Sequence, residues 1–394
     1  MNSSAPAGGR TPDFELARDD ALYRLQQRIG LIPSDGAGLV RRAVFWSLVG
    51  WLPIALWAVY VNRTWPGAVA EPLLAHFGVQ ARLLVAVPLL ILAEGPASAL
   101  TARLLKHFVE SGIVPPGSRE AFSIAVMKTL RLRDAVWPWV VVLAISVALG
   151  TYSQIVAHTH EVNWAEAGAA ESIGFGGLWY LYVGRSIYLT LVLGWIWRIA
   201  LLASLLWRIA RLDLSLVPTH PDRAGGLGFL ERLPGVFAPL AFAVSTVLAS
   251  RWGHDAIYHG LTLNSVRIEM TVFIVACVLV FALPLLAFTG PLKSAKKRAL
   301  MEYGALVGRH GRLVHERWIE GRKLDEQPIL DAPELGPVAD TAAIYGAVKS
   351  MRTVPLGKSS VLPVVLAAAI PMLAVLSLQV PVKAILKQLL HAIL

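Results

Sequence analysis

The sequence predicts an all-α polytopic membrane protein of about seven transmembrane helices plus cytoplasmic amphipathic helices. Three observations carry that expectation. Of the 394 residues, 56% are hydrophobic and only 16% charged, whereas a soluble domain usually carries about a quarter charged. Seven apolar runs lie at 43–62, 83–104, 135–157, 178–207, 234–250, 268–289 and 361–379, most of them near the ~20 residues a helix needs to cross a bilayer. Lysine and arginine gather between alternate runs: six in residues 1–42, six in 103–133, four in 208–233 and twelve in 290–358, or 28 of the 36. Basic segments stay on the side where synthesis begins, so the N-terminus is expected in the cytoplasm.

The net charge of +10 does not imply nucleic acid. The cations sit between apolar runs rather than interleaved with aromatics on one soluble face, and the orientation rule accounts for them. The single cysteine, Cys277, lies inside an apolar run and excludes an intrachain disulfide. The first apolar run begins only near residue 43, so the first span is expected to act as an uncleaved anchor rather than a signal peptide.

Four parts follow in order. Residues 1–42 form a cytoplasmic tail with an amphipathic helix: Thr11-Pro12 is a plausible start, and Phe14, Ala17, Ala21, Leu22, Leu25 and Ile29 recur at helical spacing among Arg18, Arg24 and Arg28. Such a helix lies either on the anionic lipid surface or against the protein's own cytoplasmic segments. Residues 43–289 form a six-helix transmembrane bundle, whose overlong fourth run is expected to project into the cytoplasm. Residues 290–357 form a cytoplasmic helical segment. Its Lys293, Lys296, Lys297 and Arg298 suit anionic lipid headgroups, and two amphipathic helices (293–320 and 338–352) flank an acidic loop. Residues 358–394 hold the last transmembrane helix and a C-terminal amphipathic helix. Pro363 and Pro371 in the last run leave a re-entrant hairpin as the alternative.

Three segments, Arg82–Glu94, Pro218–Leu230 and Tyr345–Leu356, together resemble a family of uncharacterised bacterial multi-pass inner-membrane proteins. The string from His220 to Gly228, His-Pro-Asp-Arg-Ala-Gly-Gly-Leu-Gly, is the most specific part of the likeness. The resemblance implies the membrane class and supplies no mechanism.

Chemistry-bearing residues fall in three places. Glu94 sits at the centre of run two and is followed by Gly95-Pro96, the pattern of a discontinuous helix around a binding site. Arg198 in run four lies at matching depth, which permits a buried ion pair, while Arg185 is nearer the outer surface. These three are candidates for a substrate or ion pathway; a proline kink with a paired glutamate that only joins helices is the competing reading. In the central loop, Gly225, Gly226 and Gly228 offer free amides to an anion and Arg223 a positive charge, beside His220 and Asp222. The spacing fits neither a phosphate-binding Walker loop nor a dinucleotide fingerprint, and a tight structural turn is the competing reading. On the outer side His158, His160, His254 and His259 are weak candidates for a metal; unmetallated surface histidines are commoner.

The sequence therefore predicts an integral membrane channel or transporter for a small, anionic solute, self-associating and without a cofactor. The alternative is a non-transporting scaffold or sensor acting through its cytoplasmic helices. A membrane-embedded, metal-dependent enzyme ranks third.

Overall fold

The structure is a computed structural model and describes residues 14, 16–18, 20–33, 36–65, 67, 71–156, 160–167, 172–262, 265–322 and 336–377. The protein is an all-α polytopic membrane protein. The helices are α1 (Ala21–Arg28), α2 (Leu39–Tyr60), α3 (Phe77–Glu110), α4 (Arg119–Asp134), α5 (Trp137–Val156), α6 (Phe175–Ala210), α7 (Gly228–Tyr258), α8 (Arg267–Ile319), α9 (Gly336–Ser350) and α10 (Lys358–Leu376). Six of them are long and apolar enough to cross a membrane, or seven spans if the bent pair of α4 and α5 is counted as one. A two-residue ladder, Glu166–Ala167 with Ser172–Ile173, is the sole strand pairing among the described residues.

The seven spans match the seven apolar runs, and the departures from straight helices have local causes. Between α4 and α5 the chain bends by 45° because Ala135 is extended. Pro138 then falls in the first turn of α5, where its missing N–H is not needed. In α3 the backbone widens to a π-turn over Ala81–Ala86, next to Pro88, and is interrupted at Ala93. Proline removes a donor and crowds the preceding turn, so the hydrogen-bond register must shift there. The counterpart in α6 is a π-turn over Tyr180–Gly184. The two widened turns face each other: Arg82 lies over the rings of Tyr180 and Tyr188, with 5.4 and 5.5 Å from Cζ to the ring centroids.

Side-chain contacts order the spans. Trp179 Nε1 donates to Val49 O at 3.0 Å and Trp195 Nε1 to Leu90 O at 3.0 Å, so α3 and α6 run together and antiparallel to α2. Small residues admit close approach. Gly174 and Gly176 at the start of α6 leave room for Trp57; a Cβ on Gly176 would stand 2.4 Å from its ring. Buried Ser245 of α7 donates to Ala368 O of α10 at 2.5 Å.

The last run is one helix with Pro363 and Pro371 inside it; residues 378–394, which include the C-terminal amphipathic segment and the second half of the alternative hairpin, lie outside the described residues. At the end of run four, Leu205, Leu206 and Ile209 are buried against the rest of the protein. The sixth span and the amphipathic helix expected at 293–320 are a single element, α8, turned by a 3₁₀ stretch at Leu283–Phe288 that contains Pro284. The acidic loop between α8 and α9 lies outside the described residues.

Candidate functional site

The amphipathic pattern at the N-terminus resolves into a shorter helix with a different start. α1 begins at Ala21, and Asp20 caps it by accepting from Tyr23 N–H at 2.7 Å, as a short carboxylate at that position should. Phe14, Leu16 and Ala17 precede the helix and are buried, and Ala17 N–H donates to Ser98 Oγ of α3 at 3.2 Å. Of the two placements open for this segment, the structure has it against the protein.

Its docking assembles four buried charges. Glu94 opens the second half of α3 directly after the interruption at Ala93. Pro96 lies in that first turn, where a residue without an N–H is tolerated. Glu94 Oε1 accepts from Arg198 Nη1 of α6 at 2.8 Å, and Oε2 from Arg42 Nη1 of α2 at 2.7 Å. Arg198 Nη2 reaches Asp20 Oδ2 at 2.9 Å, and Arg42 Nε donates to Gln26 Oε1 of α1 at 2.5 Å. All four charged side chains are at most 3% exposed. Trp139 and Trp195 flank the Arg198 guanidinium, with ring centroids 5.7 and 5.5 Å from Cζ. The depth-matched pair of Glu94 and Arg198 thus forms, within a larger array that residue spacing alone did not reveal.

The charges balance, two of each sign, as buried ions must if their desolvation is to be offset. They are not equivalent. Glu94, Arg42 and Arg198 belong to spanning helices; Asp20 comes from a segment laid onto the bundle. Burial pushes the Asp20 carboxyl above the ordinary carboxylate range, Arg198 pulls it back, and neighbouring Glu94 adds to the rise. A cavity of about 250 Å³ reaches Glu94 and Arg42 between α1, α2 and α3, with Arg18, Tyr23 and Ser98 on its wall. Arg185 stands apart from the array: it follows the π-turn of α6, is half-buried, and lies about 20 Å along the helix from Arg198.

The central loop closes on itself. Asp222 Oδ1 accepts from the N–H of Ala224 at 2.7 Å and of Gly226 at 3.2 Å, and Oδ2 from Gly228 N–H at 2.7 Å. The amides that could surround an anion therefore surround this carboxylate. His220 Nδ1 is 2.9 Å from Asp222 Oδ1. Burial alone would raise the Asp222 carboxyl, but the three backbone donors, with His220, outweigh it and hold the group below the ordinary range. Arg223 (φ +56°), Gly225 (φ +65°) and Gly226 (φ +96°) take left-handed conformations to bring the amides round. Arg352, between α9 and α10, fastens the loop. Its Nη2 donates to Asp222 O at 2.9 Å and to the Glu231 carboxylate, and its Nη1 donates to Leu356 O at 2.8 Å. The segments Pro218–Leu230 and Tyr345–Leu356 thus meet through one arginine.

At the opposite end of the bundle His254 and His259 of the α7 terminus approach Glu71, a residue the pattern reading passed over. His158 lies outside the described residues, as does the side chain of His160. No protein-family model, curated protein or solved structure matches the chain.

Proposed function

We propose that the protein is a channel or transporter for a small anionic solute in a bacterial inner membrane. The basic end faces the cytoplasm, and the N-terminal segment closes the pathway there with its own carboxylate. The observation that carries this reading is the place of Asp20 on Arg198, 2.9 Å from Nη2. Without Asp20 the remaining three groups, Arg42, Arg198 and Glu94, sum to one positive charge. A solute anion entering beside Arg198 restores neutrality in the same position. Asp20 alone of the four is carried by a segment outside the spanning helices, which suits a releasable plug. The interruption of α3 just before Glu94 fits a pathway too, since it borders the cavity that reaches Glu94 and Arg42.

The test is uptake of labelled chloride, phosphate and acetate into liposomes carrying the purified full chain, with rubidium as the cation control. Uptake of at least one anion, saturable and without rubidium, is expected. Liposomes no leakier to any anion than protein-free ones, with wild type and with chains lacking residues 1–20, would overturn the reading.

A second reading has one observation in its favour. α8 extends well past its apolar span and carries exposed Met301, Trp318 and Ile319, a surface open to a cytoplasmic partner. In that scaffold or sensor the four charges would only fasten the N-terminal segment. Partners captured by the full chain and lost on deleting 293–352, together with no flux, would favour it.

A further inference from the structure

The geometry points to a divalent transition-metal site, of the kind zinc occupies, made by Glu71, His254 and His259 at the end of the bundle opposite the charged array. Their donor atoms all lie within 4.8 Å of one another. His254 Nε2 is 3.4 Å from Glu71 Oε2, and His259 Nε2 is 3.8 Å from Glu71 Oε1. A tetrahedral ion with bonds of about 2.0–2.1 Å holds its ligands roughly 3.3–3.4 Å from each other, so the set must close by up to roughly 1.4 Å to share one ion. His76 adjoins them: its Nε2 is 3.3 Å from Glu71 Oε2, and its ring stacks on His254 with 4.6 Å between centroids.

The geometry around His254 supports a cation here. His254 Nδ1 faces Ala75 O at 3.3 Å, and a carbonyl can only accept, so this nitrogen carries the proton. Nε2 is then the ring atom turned toward the Glu71 carboxylate. That nitrogen is buried and makes no hydrogen bond. A single divalent ion would take one nitrogen from each histidine and the carboxylate at once. The Nδ1 contact with a backbone carbonyl is the outer-shell arrangement that orients metal-bound histidines. His76, next to the Glu71 oxygen, serves as a positioning residue that holds the carboxylate.

The scaffold presents the donors from two elements. Glu71 and His76 flank a 3₁₀ turn at Leu73–Ala75 that begins after the rigid Pro72. His254 lies just before the last turn of α7 and His259 is its C-cap, followed by Gly260 at φ +67°. Three protein ligands with partly exposed His259 and Glu71 leave a fourth position for water.

The experiment strips the detergent-solubilised full chain with a chelator, removes the chelator, and titrates zinc against a competing dye. One zinc per chain with micromolar or tighter affinity is expected, with losses of at least tenfold for E71Q, H254N and H259N, a smaller loss for H76N, and none for H315N. Cobalt added to the unmutated protein gives an independent readout: visible absorption bands of a four- or five-coordinate ion that disappear when zinc is added. Absence of stoichiometric zinc binding together with absence of those bands would overturn the inference, leaving proton-shared His–Glu contacts. Binding that survives all three ligand substitutions would overturn it as well.

Discussion

Glu94 and Arg198 meet at 2.8 Å although 104 residues separate them, each 3% exposed in the heart of the bundle. Glu94 also holds Arg42, so it is the one group on which two buried cations depend. Glu94→Gln should therefore lower stability by about 3–5 kcal/mol, the usual consequence of leaving a buried charge uncompensated. Adding Arg42→Gln returns the array to neutrality and should recover part of that loss. Thermal unfolding in detergent of the two single variants and the double variant measures the coupling. A double variant no better than Glu94→Gln would show that the charges do not act as a set.

Asp20→Asn tests the docked segment separately from its helix cap, because asparagine caps about as well as aspartate. The substitution removes one charge from Arg198, and trypsin should then reach Arg24 and Arg28 at least several-fold faster.

The Asp222 loop should depend on pH. Its carboxyl is held below the ordinary range in the folded loop. The stabilisation it provides is present above the unfolded value of about 3.9 and is lost only as pH falls through the lower folded value. Amide exchange at Ala224, Gly226 and Gly228, corrected for intrinsic rates, should stay protected from neutral pH down to about pH 4. Asp222→Asn should lose that protection at all pH values, and Arg352→Ala should weaken it by freeing the loop from α10.

Gly176 tests the packing of α2 on α6. A methyl group there would stand 2.4 Å from the Trp57 ring, and overpacking of a tight contact typically costs about 1–3 kcal/mol. Gly176→Ala should lower the unfolding temperature, whereas Gly78→Ala, with open space around its Cβ position, should not.

The spans were legible because hydropathy reports the solvent of each segment directly, and all seven runs correspond to helices. The Glu94–Arg198 contact was legible in depth, since 1.5 Å per residue fixes height along an axis; azimuth was not. Asp20, Gln26 and Arg42 escaped notice for a different reason. They lie ahead of or at the start of the first span, where polar residues are ordinary. The available signal was Asp20 before the apolar Ala21-Leu22, an N-cap pattern one turn upstream of the basic helix face. Glu71 and His76 sit in a connecting segment with no periodicity to mark them, and only tertiary packing brings α7 to them. The central loop's glycines did signal an anion nest. That Asp222 itself fills it was foreshadowed by the spacing of Asp222 to Ala224, Gly226 and Gly228, but a turn's closure depends on dihedral angles that composition does not set.

The claim on which the functional account rests is that Asp20 stands where a solute anion would. Anion uptake into liposomes should be compared for wild type and Asp20→Asn, reconstituted at equal density, with Asp222→Asn as the reference substitution outside the array. The account predicts uptake by Asp20→Asn at least about tenfold above wild type, anion-selective, and unchanged by Asp222→Asn. Equal rates for Asp20→Asn and wild type, with the segment shown by trypsin to be released in the variant, would contradict it.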